Sequence, residues 1–156
     1  MEYDSHSHMK VMFLLEDPVF DADVSTASID MEDVTEGLGY ESLEYIVTIG
    51  AIATVGGTIE ARCQESDDDS VWTDCAANTD SGEDLTLGGE ALTVEAGNGL
   101  VIPIGAQNAA YRLGSISKKR YQRLSLTEET AVSAGQITVI ALLGHSRTGP
   151  VPDQSS

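Results

Sequence analysis

The sequence predicts an all-β domain, a two-sheet β-sandwich of jelly-roll-like form with an N-terminal arm and a C-terminal tail. Three observations predict it. Apolar and polar residues alternate with a period of two along most of the chain, the mark of strands with one buried face. The alternating runs are short and divided by turn residues, with 15 glycines in 156 residues. No stretch shows three turns of amphipathic helix. A chain of this length forms one domain with a real core. With 41% hydrophobic but only 5% aromatic residues, that core is expected to be aliphatic. Eight or nine short strands in one domain need two sheets. An immunoglobulin-like sandwich would place paired cysteines far apart with a tryptophan between them. Here both cysteines bracket a single hairpin, which favours the jelly roll.

In chain order, residues 1–9 (MEYDSHSHM) read as a polar arm, residues 10–147 as the sandwich and residues 148–156 as a polar, Pro-punctuated tail. KVMFLL (10–15) is a short strand, broken by Asp17-Pro18. VSTASIDM (24–31) is a modest strand, and EDVTEGLG (32–39) a loop. YESLEYIVTIGAIATV (40–55) carries the strongest signal, with Leu43, Tyr45, Val47 and Ile49 on one face and Ile46 on the other. TIEARCQES (58–66) alternates Ile59, Ala61 and Cys63 with Glu60, Arg62 and Gln64. Val71-Trp72-Thr73 suits a second strand. Residues 76–90 form a long polar loop. ALTVEAGNGLVIPIGA reads as strand, turn and strand, with Gly97-Asn98-Gly99 supplying positive dihedrals at the tip. Residues 108–117 read as a connector, 119–127 as a strand and 136–144 as the last strand. Residues 43–49, 58–66, 119–127 and 136–143 are expected to be the central strands.

The stretch CQESDDDSVWTDC, Cys63 to Cys75, reads as a β-hairpin with an acidic tip at Asp67, Asp68 and Asp69. Asp and Ser side chains bond to nearby backbone and tolerate tight dihedrals. Adjacent aspartates also suit calcium, but the run lacks the D-x-D-x-D-G spacing and closing Glu of a Ca²⁺ loop. The tip therefore reads as a solvated turn. A hairpin symmetric about Asp69 sets Cys63 opposite Cys75, close enough to bridge. In a reducing cytosol, such cysteines are more often small buried hydrophobes, so reduced thiols are expected.

Net charge is −18, from 26 acidic and 8 basic side chains. That excludes nucleic acid, whose binding rests on Lys and Arg, and anionic membrane surfaces. No apolar run approaches the roughly 20 residues of a membrane span. VMFLL is too short for a signal core and has acidic flanks, so the chain is expected to be made in a cytosol and not secreted. Four of the eight basic residues lie in SKKRYQR: Lys118, Lys119, Arg120 and Arg123. Along a strand, Lys119, Tyr121 and Arg123 share one face, and Arg120, Leu124 and Leu126 the other. The cluster has two readings of equal weight: an interface for an acidic partner, or an offset for carboxylates within the subunit.

Catalytic patterns are thin. His6 and His8 lie in the arm, and no rigid set of further zinc ligands accompanies them. Gly144-His145-Ser146-Arg147-Thr148 lacks the second glycine of a nucleophile elbow and runs into a tail. There is no P-loop and no dinucleotide-binding glycine motif. The sequence points to no enzyme, no cofactor and no metal.

Two stretches carry a resemblance. IEARCQESDDDSVWTDC, followed later by KKRYQRLSLTEETAVSAGQITVIALLGHSR, resembles a recurring small protein of tailed-bacteriophage head modules. There a strand of the form L-Q-x-S-D-D-G-x-x-W-T-D-V precedes a K-R-Y-x-R strand and a final aliphatic strand ending near L-G. The likeness covers roughly residues 43–147. Asp69 stands where that pattern has glycine, and Cys63 and Cys75 where it has apolar residues, which supports inward-facing cysteines. A short S-D-D-x-x-x-W turn also occurs in Asp-box hairpins of glycan-binding proteins. The resemblance implies a capsid decoration (cement) protein on the virion exterior, synthesised in the host cytoplasm. Its implied partners are the major capsid protein and neighbouring copies of itself, as a dimer or trimer. A glycan-binding module on the virion, or a tail or head–tail connector protein, are the competing readings.

Overall fold

The computed structural model describes residues 9–32, 39–52, 57–75, 93–95, 99–104, 109–115, 117–130 and 135–146. The expected arm (save Met9), the tail, the 76–90 loop and the glycine turn at 97–98 lie outside them. The described residues form eleven strands and no helix. They are β1 (Met9–Phe20), β2 (Val24–Ser25), β3 (Ile29–Asp30), β4 (Tyr40–Ile52), β5 (Gly57–Ser66), β6 (Thr73–Asp74), β7 (Thr93–Glu95), β8 (Gly99–Ile104), β9 (Ala109–Ser115), β10 (Tyr121–Thr130) and β11 (Gly135–Ser146).

All pairings are antiparallel. One sheet has the order β1-β11-β4-β9; the other runs β2-β10-β5-β8-β7, with β3 also on β10 and β6 on β5. The four runs expected at the centre supply β4, β11, β5 and β10, four of the five interior strands of the two sheets; the fifth is β8. With β2 and β3 counted as one interrupted strand, and β6 and β7 set aside, eight segments remain. The first sheet then holds the first, eighth, third and sixth, and the second sheet the second, seventh, fourth and fifth. The two sheets make the chain a β-sandwich.

Alternation builds the core. Leu43, Tyr45, Val47 and Ile49 of β4 point inward together with Ile137, Val139, Ala141 and Leu143 of β11. Ile59, Ala61 and Cys63 of β5 meet them from the second sheet, with Leu124 and Leu126 of β10 and Leu100 and Ile102 of β8. Residues of both sheets form one cluster, so the sheets pack face to face. The core is not purely aliphatic: Tyr40, Tyr45, Tyr111 and Phe20 are among its largest buried side chains. Aromatics are few on this chain, but half of them are spent inside.

Four local expectations need correction. Met9 belongs to β1, not to the arm. Asp17-Pro18 does not end that strand; β1 continues to Phe20 with a register shift between Asp17 and Phe20. A shift of that kind is where a strand accommodates proline. The 24–31 run is not one strand but two short pairings on β10, separated where Thr26 bonds Leu124 through both its backbone N–H and its hydroxyl. Residues 109–115 are a strand, not a connector, and set Tyr111 and Leu113 into the core.

Candidate interaction surface around the β5–β6 hairpin

The hairpin closes as its symmetry about Asp69 predicts: Gln64 pairs with Asp74 and Glu65 with Thr73. The Cys75 N–H donates to the Cys63 carbonyl at 3.0 Å. Only Thr73 and Asp74 are strand in the second arm; Val71, expected in it, is exposed in the turn. Both cysteines are buried, and no disulfide joins them. Burial pushes the Cys63 thiol well up, and the Cys75 thiol up to about 11. Cys75 Sγ lies 3.8 Å from Ser115 Oγ, which donates to the buried Gln122 side chain at 2.6 Å. Ser115 is on β9 and Gln122 on β10, so this polar chain ties the two sheets beneath the hairpin.

The tip is organised by Asp68. Its Oδ1 accepts from Ser66 Oγ, the Ser70 N–H and the Val71 N–H, at 2.9–3.0 Å. These donors, the Val71 and Ser70 N–H groups foremost, hold its carboxyl well below the usual carboxylate range. Asp69 has φ 61°, the left-handed conformation that glycine adopts freely. That accounts for glycine at the same place in the resembling pattern. Among the described residues no group of three His, Cys, Asp or Glu could hold a metal ion. Asp68 clasps the turn, Asp69 supplies its left-handed residue, and Asp67 lies beside Lys119.

The basic residues of the cluster stand around this hairpin, and two of the four, Arg120 and Lys119, meet carboxylates. Arg120 makes a forked pair with Asp30, Nε to Oδ1 at 2.9 Å and Nη2 to Oδ2 at 2.8 Å, and lies over the Tyr121 ring. Lys119 Nζ lies 3.4 Å from Asp67 and 3.9 Å from Glu65. Arg123 stacks on Trp72 at 4.3 Å and donates to Gln64 Oε1. From Gln64 the network continues: its Nε2 donates to Asp74, Arg62 donates to the same Asp74 carboxylate, and Arg62 pairs with Glu60. The Glu60 and Asp74 partners raise the Arg62 pKa further, as Asp30 does for Arg120. Lys118 is exposed and, among the described residues, pairs with none.

Arg120 and Lys119 thus meet carboxylates within the subunit, whereas Arg123 meets a ring and an amide and Lys118 is exposed, so both readings of the cluster stand. Within β10, Tyr121 and Arg123 are half-buried and Leu124 and Leu126 fully buried, as alternation requires; Lys119 precedes the strand. Arg120 does not join the inward set, because it precedes β10 and reaches across to Asp30 on β3. The pairing of Arg123 with Trp72 had no local signal; it needs the β5–β10 register, in which Arg123 stands beside Gln64. His6 and His8 lie outside the described residues. No family model matches the chain, and neither a curated protein nor a solved structure is significantly similar to it.

Proposed function

We propose that the chain is a structural protein of a tailed-phage head, binding the outside of the shell and stabilising contacts between capsomers. One observation carries the reading. The two stretches that bear the resemblance, far apart in sequence, meet in one network: Tyr121 pairs with Ser66 at the hairpin, and Arg123 stacks on Trp72. The residues of the motif thus hold a hairpin and a strand in place, the work of a scaffold signature. The two-sheet sandwich and the acidic, aromatic-poor composition of the chain support the same role. The major capsid protein is the proposed partner. Repetition over a symmetric lattice multiplies a small affinity per site, so no deep pocket is needed. The test mixes the purified chain with heads that lack it. Saturable co-sedimentation with the shell is expected; binding to isolated tails but not to heads would move the protein to the connector or tail.

A further inference from the structure

The outer face of the first sheet is the opposite of the ionic face around the hairpin. On β1, Val11 and Phe13 are 54% and 62% exposed, and Met9 is 38% exposed. In register, Val11 stands beside Leu142 and Phe13 beside Ile140. Ile140 stands in turn beside Ile46 of β4. Residues directly opposite in a ladder point to the same side. Five apolar side chains thus form a continuous outward patch across three strands, and all five are at least partly exposed. Among the described residues, charge is scarce there. Glu44 and Arg112 pair with each other, and Glu16, beside Thr138, lies at the margin. On a chain of net charge −18, this is a nearly neutral face.

We infer that a second copy of this chain docks here, first sheet against first sheet, to form a two-fold dimer. Two copies carrying −18 each repel wherever acidic surfaces meet, so the approach must use a face without net charge. An apolar face whose central charges, Glu44 and Arg112, pair with each other complements itself under a two-fold axis. The size sets the strength. Four strands about 4.8 Å apart, over about seven residues at about 3.4 Å each, give roughly 450 Å² of projected face. Two such faces bury on the order of 1,000 Å², the lower bound of specific interfaces, so the dimer is reversible. It does not depend on the head-protein reading, because no shell is needed to form it.

Sedimentation velocity of the full chain, from micromolar to millimolar concentration at low and high salt, tests this. The expected species has twice the 16.5 kDa chain mass. Association strengthens with salt, because screening shortens the Debye length from about 30 Å at ~0.01 M to about 3 Å at ~1 M and weakens the repulsion. Val11→Asp with Phe13→Asp, both exposed positions, is expected to weaken association at least tenfold with unchanged circular dichroism. Val71→Asp adds the same kind of charge at a 69% exposed site on the hairpin and should leave association intact. A wild type that stays monomeric at millimolar concentration in high salt would overturn the proposal. So would a dimer that survives the double substitution, or one that salt disrupts.

Discussion

Replacing Tyr45 with phenylalanine should raise the stability of the sandwich. Tyr45 lies on β4, between Ala141 of β11 and Leu113 of β9, and is 0% exposed. Its hydroxyl has no hydrogen-bond partner among the described residues. Burial, reinforced by the nearby Cys63 and Cys75 thiols, holds its pKa well above the usual phenol value, so the group is buried neutral. A hydroxyl taken from water without a partner costs about 1–3 kcal/mol. Phenylalanine removes that cost and leaves a gap of one oxygen, with a small loss of dispersion contact. The net expectation is a gain of about 1 kcal/mol, or a Tm rise of about 2–4 °C for a domain of this size. Thermal unfolding with urea midpoints at constant m-value would measure it. Tyr45→Ala should instead cost about 3–5 kcal/mol, confirming that the ring itself is packed. If Tyr45→Phe lowered stability by 1 kcal/mol or so, the hydroxyl would be paired, to water or a thiol, and the reasoning would fail.

Three further outcomes follow from the hairpin and its neighbours. The Cys75 thiol has a folded pKa of about 11 against an ordinary 9.0, and Cys63 is raised as well, so their contribution is complete below pH 9 and is lost as pH rises toward 11. Tm should fall over that window, and Cys63→Val with Cys75→Val should flatten the fall; an equally steep fall in the variant would exclude the thiols. Asp69→Gly should be neutral or gain up to about 1 kcal/mol, and Asp69→Val should lose about 1–2 kcal/mol, because a β-branched residue is strained at φ 61°; equal denaturation midpoints would refute the turn geometry. Lys119→Glu with Arg123→Glu removes the Trp72 stack and, at position 119, sets a new carboxylate beside Asp67 and Glu65, so the chain should fold with a loss of about 1–2 kcal/mol, larger at low salt. An unchanged Tm at low salt would show that these contacts contribute nothing.

The interior strands were legible because their alternation is long. Leu43 to Ile49 and Ile137 to Leu143 repeat the buried position four times each, enough to fix both strand and face. β9 was missed because only Tyr111 and Leu113 mark it, two buried positions in seven residues ending in Gly114-Ser115. β2 and β3 are two residues each and exist only because β10 is there to pair with them. Composition misled about the core: a low aromatic content says nothing about where those aromatics go, and Tyr40, Tyr45 and Tyr111 went inside. The facing of Cys63 and Cys75 was readable from hairpin symmetry alone. What each basic residue holds was not. Asp30 is 90 residues from Arg120, and Gln64 is 59 from Arg123, so those pairs appear only once the second sheet is assembled. The apolar outer face of the first sheet was hidden for a similar reason. Val11, Ile46, Ile140 and Leu142 look like unremarkable strand residues until the register aligns them on one side.

The central claim, a structural role on the outside of a phage head, is tested most directly by cryo-electron microscopy of the virion that carries this chain. The account predicts two-sheet β-sandwich density on the outer surface of the shell, repeated with the lattice and seated across capsomer boundaries. Density confined to the tail or the head–tail junction, or a particle without the chain, would contradict it.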